Sequence, residues 1–248
     1  MIVQGNSISE CWIKTLIEVR KNKKKELAPL IASYKVDGAP APYAEELEGE
    51  INNYLKSISK PTISTTASTI FPVSLSGKPE LLFDRFNKVW PSVKKDALNK
   101  YGHYFRRLVA FNESSGEPIN QLKHIIETYT GIDGERKPVH RRSALIALTF
   151  DPNLDHTSQV MRGFPCLQQV CFIPKKDGTM SLNAIYAMQH LIMRGYGNYI
   201  GLKHLGEFMA DQMGLRLTEI NCIASILDAG ATPTSFMDGL VNKYKSYA

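Results

Sequence analysis

The chain has 248 residues, 43% hydrophobic and 22% charged, with a formal net charge of +6, enough for one sizeable core at an ordinary globular composition. No apolar run reaches the roughly 20 residues of a membrane span, and the start Met1–Glu10 lacks the basic and apolar pattern of a secretory signal. Cys11, Cys166, Cys171 and Cys222 show no Cys-x-x-Cys spacing, which argues against a zinc site or a disulfide scaffold and for a reducing, cytoplasmic setting without a membrane.

In chain order, Ser7-Ile8-Ser9-Glu10 reads as a capping box opening a helix, with Ile8, Trp12, Leu16 and Val19 near one face. Leu30–Val36 is a predicted strand, ended by the turn Asp37-Gly38-Ala39-Pro40. Residues 43–58 carry an amphipathic helical pattern. The Ser/Thr-rich stretch Ile63–Ser68, running into Thr69-Ile70-Phe71-Pro72, reads as extended chain near a site or a loop. Leu81–Lys95 is a predicted helix that Trp90-Pro91 breaks or kinks. A helix follows over Ile119–Tyr129, with Leu122, Ile125 and Ile126 on its apolar face. Ala144–Phe150 is almost continuously apolar, the pattern of a strand buried on both faces. Val170–Pro174 and Ser181–Ile192 are further strands, separated by the turn Lys176-Asp177-Gly178. Asn198–Met213 returns to helical spacing through Leu202, Leu205 and Met209, with Gly214 as its C-terminal stop. Without a repeat or a long linker, residues 1–248 read as a single domain of the α+β class.

Few motifs carry chemistry on their own. Gly195-Tyr196-Gly197-Asn198-Tyr199-Ile200-Gly201 misses the dinucleotide fingerprint by one residue in its last interval. The six histidines are dispersed, so no metal cluster has a nucleus. The basic runs Lys21–Lys25 and Lys175-Lys176 read as solvated surface; the charge excess also suits an anionic small molecule such as a nucleotide. Nucleic acid is not an expected partner, because no helix-turn-helix, zinc-finger or RNA-recognition signature accompanies those runs. Pro165-Cys166, after Gly163-Phe164, places a thiol at the entrance of a strand, where it can face a cavity. A thiolate there needs nearby positive charge, for which Arg162, Arg141 and Arg142 are candidates; a lone cysteine is otherwise a small buried hydrophobe. Arg141-Arg142 is a surface pair or a bidentate phosphate donor.

Taken in order, Tyr101-Gly102-His103-Tyr104-Phe105-Arg106, Ile119-Asn120-Gln121-Leu122, Arg141-Arg142-Ser143-Ala144-Leu145-Ile146 and Phe164-Pro165-Cys166 resemble the thymidylate synthase family, well over residues 100–220 and loosely over 1–100. The resemblance implies a sandwich of helices around a large mixed β-sheet whose face forms a homodimer. It implies that Cys166 attacks C6 of a pyrimidine nucleotide and activates C5 for one-carbon transfer from methylenetetrahydrofolate, as a methyl- or hydroxymethyltransferase does. Arg141 and Arg142 would reach the phosphate bound by the partner subunit, and Asn198 the pyrimidine edge. Arg106 and Tyr101 would join the substrate-binding set, with Glu80 of Glu80-Leu81-Leu82 as the catalytic glutamate.

The sequence also departs from the family. Leu167 stands where a histidine follows the nucleophile, Ala187-Met188 where an Arg-Ser pair binds phosphate, and His190 where an aspartate contacts the base. Asp228 and Gly230 replace a His-x-Tyr pair that grips the ribose, and Ser64–Thr69, without an arginine, is the nearest counterpart of the phosphate loop. The end at Ala248 falls short of the family's folate-covering C-terminus. Replacement cations are expected at Arg162, Arg194 or Lys203. The alternative expectation is a non-catalytic nucleotide-binding or scaffolding protein that keeps the dimeric fold.

Overall fold

Alternating and near-continuous apolar segments meet in one mixed sheet. The computed structural model describes residues 1–96, 99, 103–112, 116–156, 158 and 164–248. The strands are β1 (Ile2–Gly5), β2 (Glu26–Leu27), β3 (Leu30–Lys35), β4 (Ile146–Leu148), β5 (Leu167–Pro174), β6 (Thr179–His190) and β7 (Arg216–Asp228). They lie in the order β1-β3-β7-β6-β5-β4, with β2 paired to β7. The β1–β3 and β6–β7 pairs are parallel and the others antiparallel.

The helices are α1 (Ile8–Lys21), α2 (Ala44–Ser57), α3 (Ile63–Ile70), α4 (Leu82–Val93), α5 (Tyr104–Val109), α6 (Gln121–Thr130), α7 (Pro152–Asp155), α8 (Tyr196–Gln212) and α9 (Thr234–Tyr244). The fold is therefore α+β with a large mixed sheet, as the sequence implies. No helix among the described residues is long and apolar enough to cross a membrane.

Local chemistry explains the first helix. The Ser7 side chain accepts from Glu10 N at 3.2 Å, while the Glu10 carboxylate accepts from Asn6 N at 2.8 Å, so the box closes one residue before the cap. The buried face of α1 carries Trp12, whose indole N–H donates to Leu191 O at 3.2 Å, tying the helix to the chain just past β6. Tyr34 of β3 and Tyr199 of α8 stack at 4.9 Å inside the core.

Three expectations need correction. Ile63–Ser68 is not extended but lies in α3, begun by Thr62, whose hydroxyl accepts from Thr65 N at 3.3 Å. Its β-branched residues are middling helix formers, a few tenths of a kcal/mol each, and tertiary packing overrides them. The packing is close: a Cβ at Gly197 of α8 would lie 2.7 Å from Thr66 Cβ, and one at Gly201 2.7 Å from Ala67 O. Second, Pro91 does not stop α4, which runs on to Val93, because a proline in the last turn sacrifices one bond only.

Third, the apolar run near residue 146 is not buried on both faces. Strand β4 is the sheet's edge, with Ala147 fully buried but Ile146 38% and Leu148 40% exposed. Their side belongs to a partly exposed face. Register aligns Ile2, Ile31, Ile223, Ile185, Gln169 and Leu148 in one row across it. The opposite face, under α1 and α8, holds the core.

Candidate functional site

A cavity of about 550 Å³ opens where β5 begins and β6 ends, within the usual size of a small-molecule site. One wall is the hydroxyl face of α3, with Thr65, Ser68 and Thr69 at helical spacing; another is the apolar face of α4, with Phe86, Val89 and Val93. Between them stand Tyr104, Cys166, His190, Arg194 and Asn198. The last two depend on an irregular turn. After β6 the chain makes a π-helical turn, Leu191–Gly195, that runs directly into α8. That turn places Arg194 and the largely buried Asn198 on the cavity, and π turns recur at functional sites.

Cys166 precedes β5 as its position after Pro165 suggests, and its carbonyl accepts from Ala187 N at 2.8 Å. Burial pushes the thiol up; the Arg194 guanidinium pulls it back. Arg194 also donates from Nη1 to Thr66 Oγ1 at 3.3 Å. The Tyr104 hydroxyl accepts from Leu167 N at 3.5 Å and is pushed up to about 12, by burial first and by Cys166 second. Arg107 reaches the cavity, but its charge is committed: it donates to Asp155 at 2.6 and 2.8 Å and to Thr149 O at 2.7 Å. His103 is buried between Phe86 and Trp90, with centroids at 5.7 and 5.9 Å; burial pushes it down to about 4, and among the described residues its Nδ1 has no partner. It stands as a neutral imidazole at the cavity's apolar end.

Over 114 residues the chain is 32% identical to a protein of Methanocaldococcus jannaschii described as "Putative thymidylate synthase", a match covering 45% of this chain and 47% of that protein. Over that stretch the chain is thymidylate synthase-like. It spans about half the length of the curated relative it matches. No family model matches the chain.

The structure brings Cys166, Asn198 and Arg194 to one cavity. The other expected residues that the structure describes lie elsewhere in this chain. Glu80 is exposed in the short turn Pro79–Leu81. Arg141 and Arg142 are exposed at the turn leading to β4, with Arg141 Nε donating to Ser143 Oγ at 3.0 Å. Arg106 points off the other side of α5, donating to Asn87 Oδ1 at 2.7 Å with its guanidinium 5.4 Å from the Trp90 ring. Lys203 pairs with Glu207 along α8 at 3.7 Å and does not line the cavity. Tyr101 and Arg162 lie outside the described residues. Cys171, inside the predicted strand Val170–Pro174, is half-exposed on the outer sheet face.

Sequence reading missed Tyr104, His103 and the helical form of the hydroxyl wall. A signal existed for two of the three. Tyr104 and Arg107 share a face at i, i+3, as do Thr65, Ser68 and Thr69 at i, i+3, i+4. Nothing in the sequence announces that His103 Nδ1 has no partner among the described residues.

Proposed function

We propose that the chain is a divergent thymidylate synthase-like enzyme that modifies C5 of a pyrimidine nucleotide through a covalent bond from Cys166 Sγ to C6. The observation that carries this reading is the meeting of Cys166, Arg194 and Asn198 in one cavity. The partial likeness to a protein described as a thymidylate synthase supports it. Arg194 favours the thiolate that burial disfavours. Attack forms the Sγ–C6 bond and shifts the C5–C6 electron pair toward the C4 carbonyl, making C5 nucleophilic. Asn198 hydrogen-bonds the pyrimidine edge and fixes which face of the ring meets the thiol. Loss of the C5 proton restores the C5–C6 double bond and expels the thiolate.

The apolar end fits a flat heteroaromatic cofactor. Phe86, Val89 and Val93 form its wall, and His103 offers a buried nitrogen that has no partner among the described residues. Methylenetetrahydrofolate, when bound there, supplies the one-carbon unit for C5. The product is a methylated base where the folate would also give up the hydride that reduces the transferred carbon, or a hydroxymethylated base where water would add to it.

The reading includes a homodimer formed through the outer sheet face. A partly exposed row of isoleucines favours it, since exposed apolar patches mark association surfaces. Arg141 and Arg142, exposed beside Ile146 at the rim of that face, would then serve the partner's cavity. Mixing Cys166→Ala with Arg142→Ala under subunit exchange should restore nucleotide binding or turnover in part, because each hybrid dimer holds one intact site. If confirmed exchange restores nothing, the trans assignment is wrong.

The deciding experiment is mass spectrometry after incubation with 5-fluoro-dUMP, with and without methylenetetrahydrofolate. A Cys166 adduct, absent from Cys166→Ala, is the expected result. Nucleotide binding without any adduct would instead support the second reading, a non-catalytic nucleotide-binding or scaffolding protein. The burial that raises the Cys166 thiol favours that reading.

A further inference from the structure

Nothing above uses the pair at the cavity's other end. His190 ends β6, Asp228 ends β7, and the two are register partners across the parallel strands. Their side chains meet, with Nδ1 to Oδ1 at 2.6 Å. An ionised carboxylate can only accept, so Nδ1 carries the proton, and in the neutral ring Nε2 presents a lone pair. His190 lines the cavity and Asp228 does not, so the histidine is the member of the pair that a ligand can meet. Among the described residues, the bond to Asp228 is the ring's protein hydrogen bond, which leaves Nε2 available to a ligand.

Distance separates this device from the nucleophile. The Cys166 carbonyl bonds Ala187 N, and His190 lies three residues farther along β6, roughly 10 Å at a strand's rise of about 3.3 Å per residue. That exceeds the reach of direct proton exchange with Sγ, but a nucleoside spans it. A nucleoside whose pyrimidine sits on Cys166 and Asn198 is long enough to bring its sugar to His190. A ring-nitrogen lone pair repels phosphate oxygens and welcomes a hydroxyl.

We propose that His190 is a specificity-determining residue of this cavity, accepting through Nε2 a hydrogen bond from a sugar hydroxyl of the bound nucleotide, with Asp228 as the positioning residue that fixes its tautomer. The proposal rests on the nucleotide reading above. It adds a preference set by the sugar.

The test is equilibrium binding of the ribo-, 2′-deoxy- and 2′,3′-dideoxy-monophosphates of uridine and cytidine to the full chain. Removing one of the hydroxyls should weaken binding to the wild type about tenfold, the upper range for one neutral hydrogen bond. His190→Leu should flatten that step, and Asp228→Ala should reduce it without touching ligand. The ring ¹⁵N shifts of His190 should report a protonated Nδ1 in the wild type and a tautomer mixture in Asp228→Ala, a change that a purely structural carboxylate would not produce. A wild type that forms the Cys166 adduct yet ignores every hydroxyl overturns the His190 proposal alone, as does discrimination surviving in His190→Leu. Failure of all six nucleotides to bind overturns it together with the nucleotide reading. The ligand series needs no mutation, so an unfolded variant does not remove the test.

Discussion

Cys166 and Cys171 belong to the same stretch of chain but face two different regions. Cys166 stands at the entrance of β5, beside Arg194, the Tyr104 hydroxyl and open volume. Cys171 stands within the ladder, between Ile146 of β4 and Asn183 of β6, with the Gln169 amide donating to its sulfur at 3.5 Å. Burial raises both thiols. What separates them is a cation and room for a ligand, present at one and absent among the causes acting on the other. On the proposed reading, reactivity is decided at the end of the strand and association along its outer face.

The largest break in this comparison should come from truncating each thiol. Cys166→Ala is expected to lower adduct formation or turnover at least ~10³-fold, the scale of a lost nucleophile, and Cys171→Ala to change it less than about twofold. Quantitative mass spectrometry with 5-fluoro-dUMP reads both. Comparable losses from the two would place the chemistry elsewhere.

Next in size is the outer face. Ile185→Lys puts a charge in the middle of the row that runs from Ile2 to Leu148 and should convert a dimer into a monomer, since a buried unpaired charge costs several kcal/mol. Light scattering at low micromolar concentration should give twice the chain mass of 27.8 kDa for the wild type and that mass for the variant. A wild type that is cleanly monomeric sinks the shared-interface idea.

A smaller effect tests the wall of the cavity. At Gly201, the added Cβ of Gly201→Ala would meet Ala67 O at 2.7 Å, a backbone atom that cannot swing aside. Overpacking of this kind costs ~1–3 kcal/mol, so the thermal midpoint should fall by several degrees. Nucleotide binding should weaken too, because α3 carries Thr65 and Thr69 on the lining. An unchanged midpoint would mean that α3 and α8 are free to separate.

The large elements were legible where pattern and packing agree. The capping box at Ser7, the period of α2 and α8, and the turn at Gly178 each follow from local chemistry, and the structure shows them. Local propensity misled at Ile63–Ser68, where threonines and serines that favour caps and loops are held helical by contact with two glycines distant in sequence. The run at Ala144–Phe150 looked doubly buried because apolar content cannot tell a covered strand from an edge strand with an open face. Strand β7 went unread, although Leu217, Ile220, Cys222, Ala224 and Leu227 are all buried along it. A bulge in its pairing with β6 breaks the two-residue period. For the candidate site, Cys166 and Asn198 were readable from the family resemblance. The role of Arg194 beside the thiol needed the π turn, which has no sequence signature here.

The smallest expected effect concerns the pH dependence of the two thiols, and its sign can be worked out. The thiolate is the species that reacts with iodoacetamide. Both cysteines are raised by burial, so near pH 8 both react through a minor ionised fraction, and both rates should climb as pH rises through 9. Arg194 lowers Cys166 alone. Cys166 should therefore label faster than Cys171 at pH 8, and Arg194→Gln should slow it by about three- to tenfold while moving its pH–rate midpoint upward; Cys171 should not respond. The same direction applies to stability. A thiol whose folded value is raised contributes stability that is fully present below its unfolded value, ~8.5, and is lost as pH rises through the folded value. Alkaline unfolding should begin earlier in the wild type than in Cys166→Ala, measured from each protein's own neutral-pH midpoint. Two perturbations then divide the regions: nucleotide should protect Cys166 only, and dilution through the dimer dissociation range should expose Cys171 only. Should Cys171 label as fast as Cys166 and answer to nucleotide, the two sides of β5 would not be separate, and the assignment of chemistry to one end and association to the other would fail.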